Sequence, residues 1–274
     1  MDLLHVESLD RPADDAALRA RAATLGPADT LLAGGTWLFS TPQPHLRGIV
    51  DVTAARWPAL TVGADGLEIA ATATLAELAA FVGPADWHAA PLLRGCCEAL
   101  VGSVKVWNMA TVGGNIALAL PAAPMITMAA ALDGVALVWP AAGGETHVPV
   151  VDLVAGAQRT TLRPGDLLRS VLLPTSVLRA RTALRKASLS PLGRSAVLLA
   201  GRVDEDGRTT VAVTAALERP AVLRFDALPD PGTLDAAVDA LGPWYDDPHG
   251  SPDWRHAMTR HLATQVREEL AGGR

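Results

Sequence analysis

Two stretches of the sequence decide its interpretation: Leu31-Leu-Ala-Gly-Gly-Thr-Trp-Leu38 and Asn108-Met-Ala-Thr-Val-Gly-Gly-Asn-Ile-Ala117. In each stretch, a Gly-Gly pair follows a short, mainly apolar segment and precedes a predicted helix. Glycine has no Cβ and adopts positive φ readily, so a ligand can come close to the main chain. Successive free N–H groups in such a turn form an anion site, which the dipole of a following helix strengthens. The two loops together predict a site for a diphosphate.

The candidate binding residues are those of the two loops. A hydrogen bond to a charged group contributes about 1.5–3 kcal/mol, so four backbone donors would contribute about 6–12 kcal/mol before ordering costs. The alternative for each Gly-Gly pair is a plain tight turn. Gly143-Gly144 lies in a predicted hairpin and is interpreted only as a turn. The candidates are Leu32, Ala33, Gly34, Gly35, Thr36, Trp37, Ala110, Thr111, Gly113, Gly114 and Asn115.

Other common site patterns are missing from the sequence. No G-x-G-x-x-G opens a βαβ unit, and no G-x-x-x-x-G-K-[ST] occurs, so neither a Rossmann site nor a P-loop is supported. The seven histidines form no H-E-x-x-H, and Cys96-Cys97 has no C-x-x-C partner. No G-x-S-x-G nucleophile elbow is present. We therefore predict neither a metal site nor a catalytic residue in this chain.

The composition indicates a globular protein without broad affinity for polyanions. Of 274 residues, 50% are hydrophobic and 19% are charged, and the net charge is −6. A weakly acidic chain does not attract nucleic acid or an anionic membrane surface. No apolar run reaches the roughly 20 residues that span a bilayer, and no signal peptide is visible. Because the two cysteines are adjacent and do not suggest a disulfide framework, we expect a cytoplasmic protein.

The order of predicted elements indicates an α+β fold in two parts. We expect a first domain over residues 1–174, made of subdomains over about 1–55 and 56–174, with a boundary at Pro174. In the second domain, residues 175–274, strands come first and helices follow. Three strands are predicted there, over 182–188, 196–203 and 209–217. The carboxy-terminal domain is thus expected to be a three-stranded antiparallel sheet with helices.

Read in full, the two loops resemble those of the FAD subunits of molybdenum hydroxylases. This family includes the medium subunit of carbon monoxide dehydrogenase and the flavin domain of xanthine dehydrogenase. Further similar segments follow in order along most of the chain: Val50-Asp-Val-Thr53, Leu67 to Leu78, Arg185-Lys186 and Asp247 to Arg255. The resemblance implies a two-subdomain FAD-binding domain of the PCMH type, followed by a small carboxy-terminal domain. It also implies that Lys186 lies near the flavin, although a surface lysine on a strand edge is an equal alternative.

Four positions depart from the family pattern. Trp37 stands where Asp or Ser is frequent, and Trp107 stands where Arg is usual. Leu120 and Pro124 replace a common Ser and a common Asp. Three accounts remain open: an altered FAD pose, weaker FAD binding, or loss of flavin. We expect Trp37 to fill the core rather than to cover an aromatic ring.

The resemblance implies an electron-transfer role in a complex. Flavin would receive electrons from iron–sulfur clusters of a partner and pass them to an acceptor, while a molybdenum subunit oxidises the substrate. The implied partners are a molybdenum-cofactor large subunit and a [2Fe–2S] small subunit, in a heterotrimer. The chain has two cysteines, whereas a cluster needs four thiolates, so it would carry no cluster itself. Two alternatives stay open: a flavin-free subunit that docks partners, and a free-standing FAD oxidoreductase.

Overall fold

The amino-terminal segment of the chain folds into a parallel three-stranded sheet with one helix against it. The structure, a computed structural model, describes residues 3–272. Strand β3 lies between β1 and β2 and pairs with both in parallel. Asp14 begins the helix by accepting the N–H of Ala17 on its side chain. The elements are β1 (Ser8–Asp10), α1 (Asp15–Ala22), β2 (Asp29–Leu32), β3 (Gly48–Asp51) and a 3₁₀ turn (Val52–Ala55).

The second sheet has five antiparallel strands in the order β4-β5-β10-β6-β7. Its central strand, β10, reads as a near-continuous apolar run, in keeping with its place between two neighbours. A separate two-stranded ribbon is formed by β8 and β9. The strands are β4 (Leu60–Val62), β5 (Gly66–Ala70), β6 (Val135–Trp139), β7 (Thr146–Pro149), β8 (Val154–Gly156), β9 (Arg159–Thr160) and β10 (Leu167–Pro174).

Six helices accompany the second sheet. The first begins at a capping box, in which Thr74 and Glu77 satisfy each other's backbone N–H groups. Helix α6 is buried on every side, as its uniformly apolar sequence requires. Its first residue is Pro124, a position where the missing N–H costs no hydrogen bond. The helices are α2 (Leu75–Ala79), α3 (Ala90–Ala99), α4 (Val104–Met109), α5 (Val112–Leu118), α6 (Pro124–Ala131) and α7 (Val150–Leu153).

The carboxy-terminal segment forms an antiparallel sheet of four strands, covered by two helices. The predicted sheet of three strands was therefore one strand short, while the α+β class is confirmed. The missed strand, β14, follows a turn at Pro220 and is only half-buried, which weakens its apolar signal. The elements are α8 (Thr175–Leu178), β11 (Arg181–Ala187), β12 (Val197–Val203), β13 (Thr209–Thr214), β14 (Ala221–Phe225), α9 (Pro231–Asp239) and α10 (Pro252–Ala271).

Helix α6 joins the second sheet to the third. The buried hydroxyls of Thr127 and Thr214 are 2.6 Å apart and share a hydrogen bond across the contact. At the other end of α6, Arg202 from β12 donates to the carbonyl of Ala131 and to the carboxylate of Asp133. Because Arg202 is almost fully buried, these partners are needed to satisfy its charge. Over the described residues 3–272, no helix is long and apolar enough to cross a membrane.

Candidate functional site

The two Gly-Gly loops meet in the folded chain. A Cβ built on Gly34 would lie 1.6 Å from the carbonyl oxygen of Met109 and 3.2 Å from the Cα of Ala110. Real Cβ atoms never approach another atom so closely, so only glycine allows this contact of main chain against main chain. Segments more than 70 residues apart in sequence are thus held together at the position where a shared site was predicted.

The first loop keeps its backbone donors free. Within residues 3–272, the N–H groups of Gly34 to Trp37 donate no hydrogen bond to the protein. Gly35 adopts φ +69°, and the N–H of Phe39 donates to the carbonyl of Gly35 at 2.9 Å. The segment after the glycines is therefore a turn, and the short helix expected there is not formed. The loop presents successive unpaired N–H groups, as an anion site requires.

The second loop, in contrast, uses its donors internally. The N–H of Gly113 donates to the carbonyl of Ala71 at 2.8 Å, and the N–H of Gly114 donates to Thr111 Oγ1 at 3.0 Å. The N–H of Asn115 donates to the carbonyl of Thr111. These residues form the first turn of α5, which Thr111 caps. The expectation of free donors in both loops was therefore wrong for the second loop.

The second loop instead supplies shape and support. A Cβ on Gly113 would lie 2.4 Å from the Cβ of Ala71, so this glycine lets α5 pack directly on the end of β5. Asn115 Oδ1 accepts the N–H of Met125 at 3.0 Å. Since Ala123 gives α6 no side-chain cap, Asn115 acts as a non-local cap for that helix. Gly114, which is exposed, and Asn115, which is half-buried, turn free surface toward the cavity described next.

Both loops line one cavity of about 910 Å³, a volume within the range of small-molecule sites. All the loop candidates belong to its wall. The unpaired N–H groups of Gly34 to Trp37 give one polar stretch of wall, whereas the segments 99–101 and 117–123 contribute mainly apolar side chains. The cavity therefore suits an elongated ligand that has an anionic part and an apolar part.

Trp37 lies on the cavity and not in the core. Its side chain is 44% exposed, so the expectation that it fills the core was wrong. The other three departures from the family pattern are placed differently. Trp107 packs against the main core and donates to the carbonyl of Leu100, and Pro124 is buried in α6. Leu120 lines the cavity with an apolar side chain.

Lys186 does not belong to the cavity wall. Its Nζ donates to the carbonyl of Ala99 at 3.4 Å, and burial lowers the pKa of its ammonium group. Because Ala99 does line the cavity, Lys186 lies behind the wall rather than in it. Cys96 and Cys97 are both free and buried, and burial raises the pKa of both thiols. In the described part of the chain, no cluster of three or more potential metal ligands occurs.

The wall also includes polar residues that the sequence did not indicate, among them Arg163, Arg194 and Ser195. Among residues 3–272, neither arginine forms an ion pair, so both cations are available to an anionic ligand. Ser195 Oγ is buried without a hydrogen-bond partner. An unpaired buried hydroxyl costs on the order of 1–3 kcal/mol. No motif in the sequence marks these residues, because loops outside both Gly-Gly stretches bring them to the cavity.

Comparison with known proteins agrees with this geometry. Residues 10–176 match the family described as the FAD binding domain in molybdopterin dehydrogenase. Among solved structures, CO dehydrogenase from Oligotropha carboxidovorans is similar with a TM-score of 0.83 and 22% identity, over 96% of each chain. Quinoline 2-oxidoreductase from Pseudomonas putida 86 is similar with a TM-score of 0.80 and 22% identity, over 100% of this chain and 99% of that one. No curated protein sequence matches the chain.

Proposed function

Because the chain belongs to the family of FAD-binding domains of molybdopterin dehydrogenases, we propose that it is the flavin-carrying electron-transfer subunit of a molybdenum hydroxylase complex. FAD is the cofactor of this family. The observation that carries the proposal is the junction of the two Gly-Gly loops at Gly34 and Met109, on the wall of a single cavity.

The residues of the cavity fit FAD. The diphosphate finds unpaired N–H donors at Gly34 to Trp37, and Arg163 and Arg194 offer positive charge on the same wall. The apolar stretches suit the flavin ring, with Leu120 and Trp37 as apolar surface. We propose the loop residues Leu32, Ala33, Gly34, Gly35, Thr36, Trp37, Ala110, Thr111, Gly113, Gly114 and Asn115 as the binding set. We retain Lys186 only as a residue that supports the wall through Ala99.

When bound, FAD supplies one- and two-electron redox chemistry that amino-acid side chains lack. The chain's own residues bind, orient and shield it. The proposed partners are a molybdenum-cofactor large subunit and a [2Fe–2S] small subunit. Structural neighbours of this chain include CO dehydrogenase and quinoline 2-oxidoreductase, which supports a complex of this type. The two-cysteine content also supports a separate iron–sulfur subunit.

We further propose a division into an FAD-binding domain over 1–174, with subdomains 1–55 and 56–174, and a carboxy-terminal domain over 175–274. The three sheets share no strand, and one core cluster contains only residues from Ala183 onward, which supports this division. A cytoplasmic location is the matching proposal for the compartment, since both thiols are free.

Purification of the native complex tests the function. The full chain, tagged and isolated from its own cells, should carry one FAD per chain and copurify with stoichiometric molybdenum and iron. Reduction of the iron–sulfur centres should then be followed by bleaching of the flavin absorption. A yellow protein isolated without molybdenum or iron would favour the free-standing oxidoreductase, and a complex that contains molybdenum and iron but no FAD would favour the docking subunit.

A further inference from the structure

Among residues 3–272, Ser195 Oγ is the one buried side-chain nitrogen or oxygen atom that lacks a hydrogen-bond partner. The residue is only 4% exposed, so its hydroxyl cannot rely on bulk water. Buried polar groups in native proteins are nearly always paired, and an exception calls for a physical reason. Ser195 also forms part of the wall of the large cavity, so a ligand there can provide the missing partner.

The main chain next to Ser195 is firmly held. The N–H of Ala196 donates to the carbonyl of Ala187 at 2.9 Å, which closes the loop between β11 and β12. On the other side, Arg255 from α10 donates to the carbonyls of Ala196 and Ala215. Its guanidinium, 1% exposed, also binds Asp247. The position of Ser195 at the cavity is therefore fixed before any ligand arrives.

Apart from the neighbouring Arg194, the wall near Ser195 is apolar. Ala99 packs with Leu198 and Ala215 in a small cluster at this junction, and Ala99 and Ala122 belong to the cavity wall. The free N–H groups of the first loop belong to another segment, where a diphosphate is expected. A flat ring with polar atoms at its edge suits the apolar stretch, because a single hydroxyl can then hydrogen-bond one edge atom while the faces meet aliphatic carbon.

We propose that the Ser195 hydroxyl hydrogen-bonds a heteroatom at the edge of the isoalloxazine ring and positions that ring in the cavity. The inference rests on the proposed function, because it requires FAD in this cavity. Ser195 is a positioning residue: it fixes the ring and influences its electronic environment through one hydrogen bond. Arg255 acts one step further away, by holding the main chain that carries Ser195.

The test compares Ser195→Ala and Ser195→Cys with the wild-type full-length chain, each prepared without flavin and titrated with FAD. Loss of one neutral hydrogen bond should weaken FAD binding about two- to tenfold. The visible absorption bands of bound flavin should shift as well. Cysteine has a similar size but is a weak donor, so Ser195→Cys should resemble Ser195→Ala. Ser188→Ala is the matched control, because that hydroxyl lies in the same loop and bonds Ser190 within it.

The Tm of the flavin-free proteins is a second measurement. A purely structural role of Ser195 would change this Tm in the opposite direction. Removing an unpaired hydroxyl should leave the Tm of the flavin-free Ser195→Ala protein unchanged or higher, while the rise in Tm on adding FAD should shrink. Wild-type affinity and an unshifted spectrum in Ser195→Ala would overturn the proposal, as would a lower Tm without flavin. If the wild-type protein itself takes up no FAD, the proposed function fails first, independently of Ser195.

Discussion

The two loops share a Gly-Gly pair but have different physical roles. In the first loop, the backbone donors of Gly34 to Trp37 are free, and the glycines make a turn that faces a cavity. In the second loop, the same pair of residues is the first turn of a capped helix, and its donors are already used. A Gly-Gly pair alone therefore indicates only that another group can come close to the main chain. The surrounding structure decides whether that group is a ligand or another part of the protein.

The largest effect is expected at the point where the loops touch. Gly34→Ala places a Cβ on the carbonyl of Met109, and main chain cannot rotate away as a side chain can. We expect flavin content below about a tenth of wild type, with a destabilisation of about 1–3 kcal/mol and a fall in Tm of about 3–10 °C. Flavin released by heat and the melting temperature are the measurements.

Gly63→Ala is the control for this substitution. Gly63, like Gly34, has a φ that other residues can adopt. A Cβ built on Gly63 would lie 4.0 Å from its nearest neighbour, the carbonyl oxygen of Gly66. Its flavin content should equal that of the wild type. Full flavin occupancy in Gly34→Ala would mean that the junction of the loops is irrelevant to the cofactor.

The second-largest effect is expected for Gly114→Val in the second loop, which should weaken FAD binding without changing the fold. In Gly114→Val the new side chain enters the cavity from an exposed position and meets only Thr111 Oγ1, at 2.8 Å from its Cβ. An unfavourable steric term of about 1–3 kcal/mol corresponds to FAD binding that is weaker by about ten- to hundredfold. FAD titration of the flavin-free protein measures it.

Gly232→Val provides the matched comparison, because Gly232 also lies in the first turn of a capped helix, with its Cβ position 3.3 Å from the capping oxygen of Asp230. Both variants should melt at similar temperatures without flavin. Unchanged flavin stoichiometry in Gly114→Val would count against the assigned site.

A smaller effect tests whether Asn115 supports α6 or contacts the ligand. Asn115→Ala removes the acceptor for the N–H of Met125 and should cost about 1 kcal/mol of stability, as a lost helix cap does. Asn115→Asp keeps that acceptor, so its stability should stay near wild type. The added negative charge on the cavity wall should nevertheless weaken binding of anionic FAD several-fold. Equal FAD affinities of the wild type and Asn115→Asp would remove Asn115 from the binding set.

The smallest expected effect is on the pH dependence of stability, through Asp29. The N–H of Gly26 and the guanidinium of Arg21 lower the pKa of Asp29, which begins the strand leading into the first loop. Because the folded-state pKa is lowered, the stabilisation is present above the unfolded pKa of about 4 and is lost as pH falls below it. Asp29→Asn should cost about 0.2–1 kcal/mol at pH 7. Urea unfolding at pH 7 and at pH 3 measures the difference, which should be smaller at the lower pH.

The second loop has no such acid dependence, because its backbone partners Ala71, Ala73 and Thr111 do not titrate. A difference between Asp29→Asn and wild type that is as large at pH 3 as at pH 7 would show that the carboxylate charge does not hold the first loop.

The sequence predicted the loops and the α+β class because both depend on local patterns. It did not predict which N–H groups stay free. That property depends on Ala71 and Ala73, which lie far from the second loop in sequence and become its partners only after folding. Ser195 and Arg194 were missed for the same reason: a loop without a glycine motif carries them to the cavity from the third sheet.

The hold of Arg255 on the main chain beside Ser195 has a consequence for engineering. The stretch that matches the flavin-binding family ends at residue 176, yet Leu192, Arg194 and Ser195 also line the pocket. The final long helix holds the main chain at Ala196, next to them. A flavin-binding fragment of this protein that is fused to another protein would therefore have to retain the β11–β12 loop and α10. Cut at residue 176, it would keep both glycine loops but open the cavity to solvent at the end assigned to the ring.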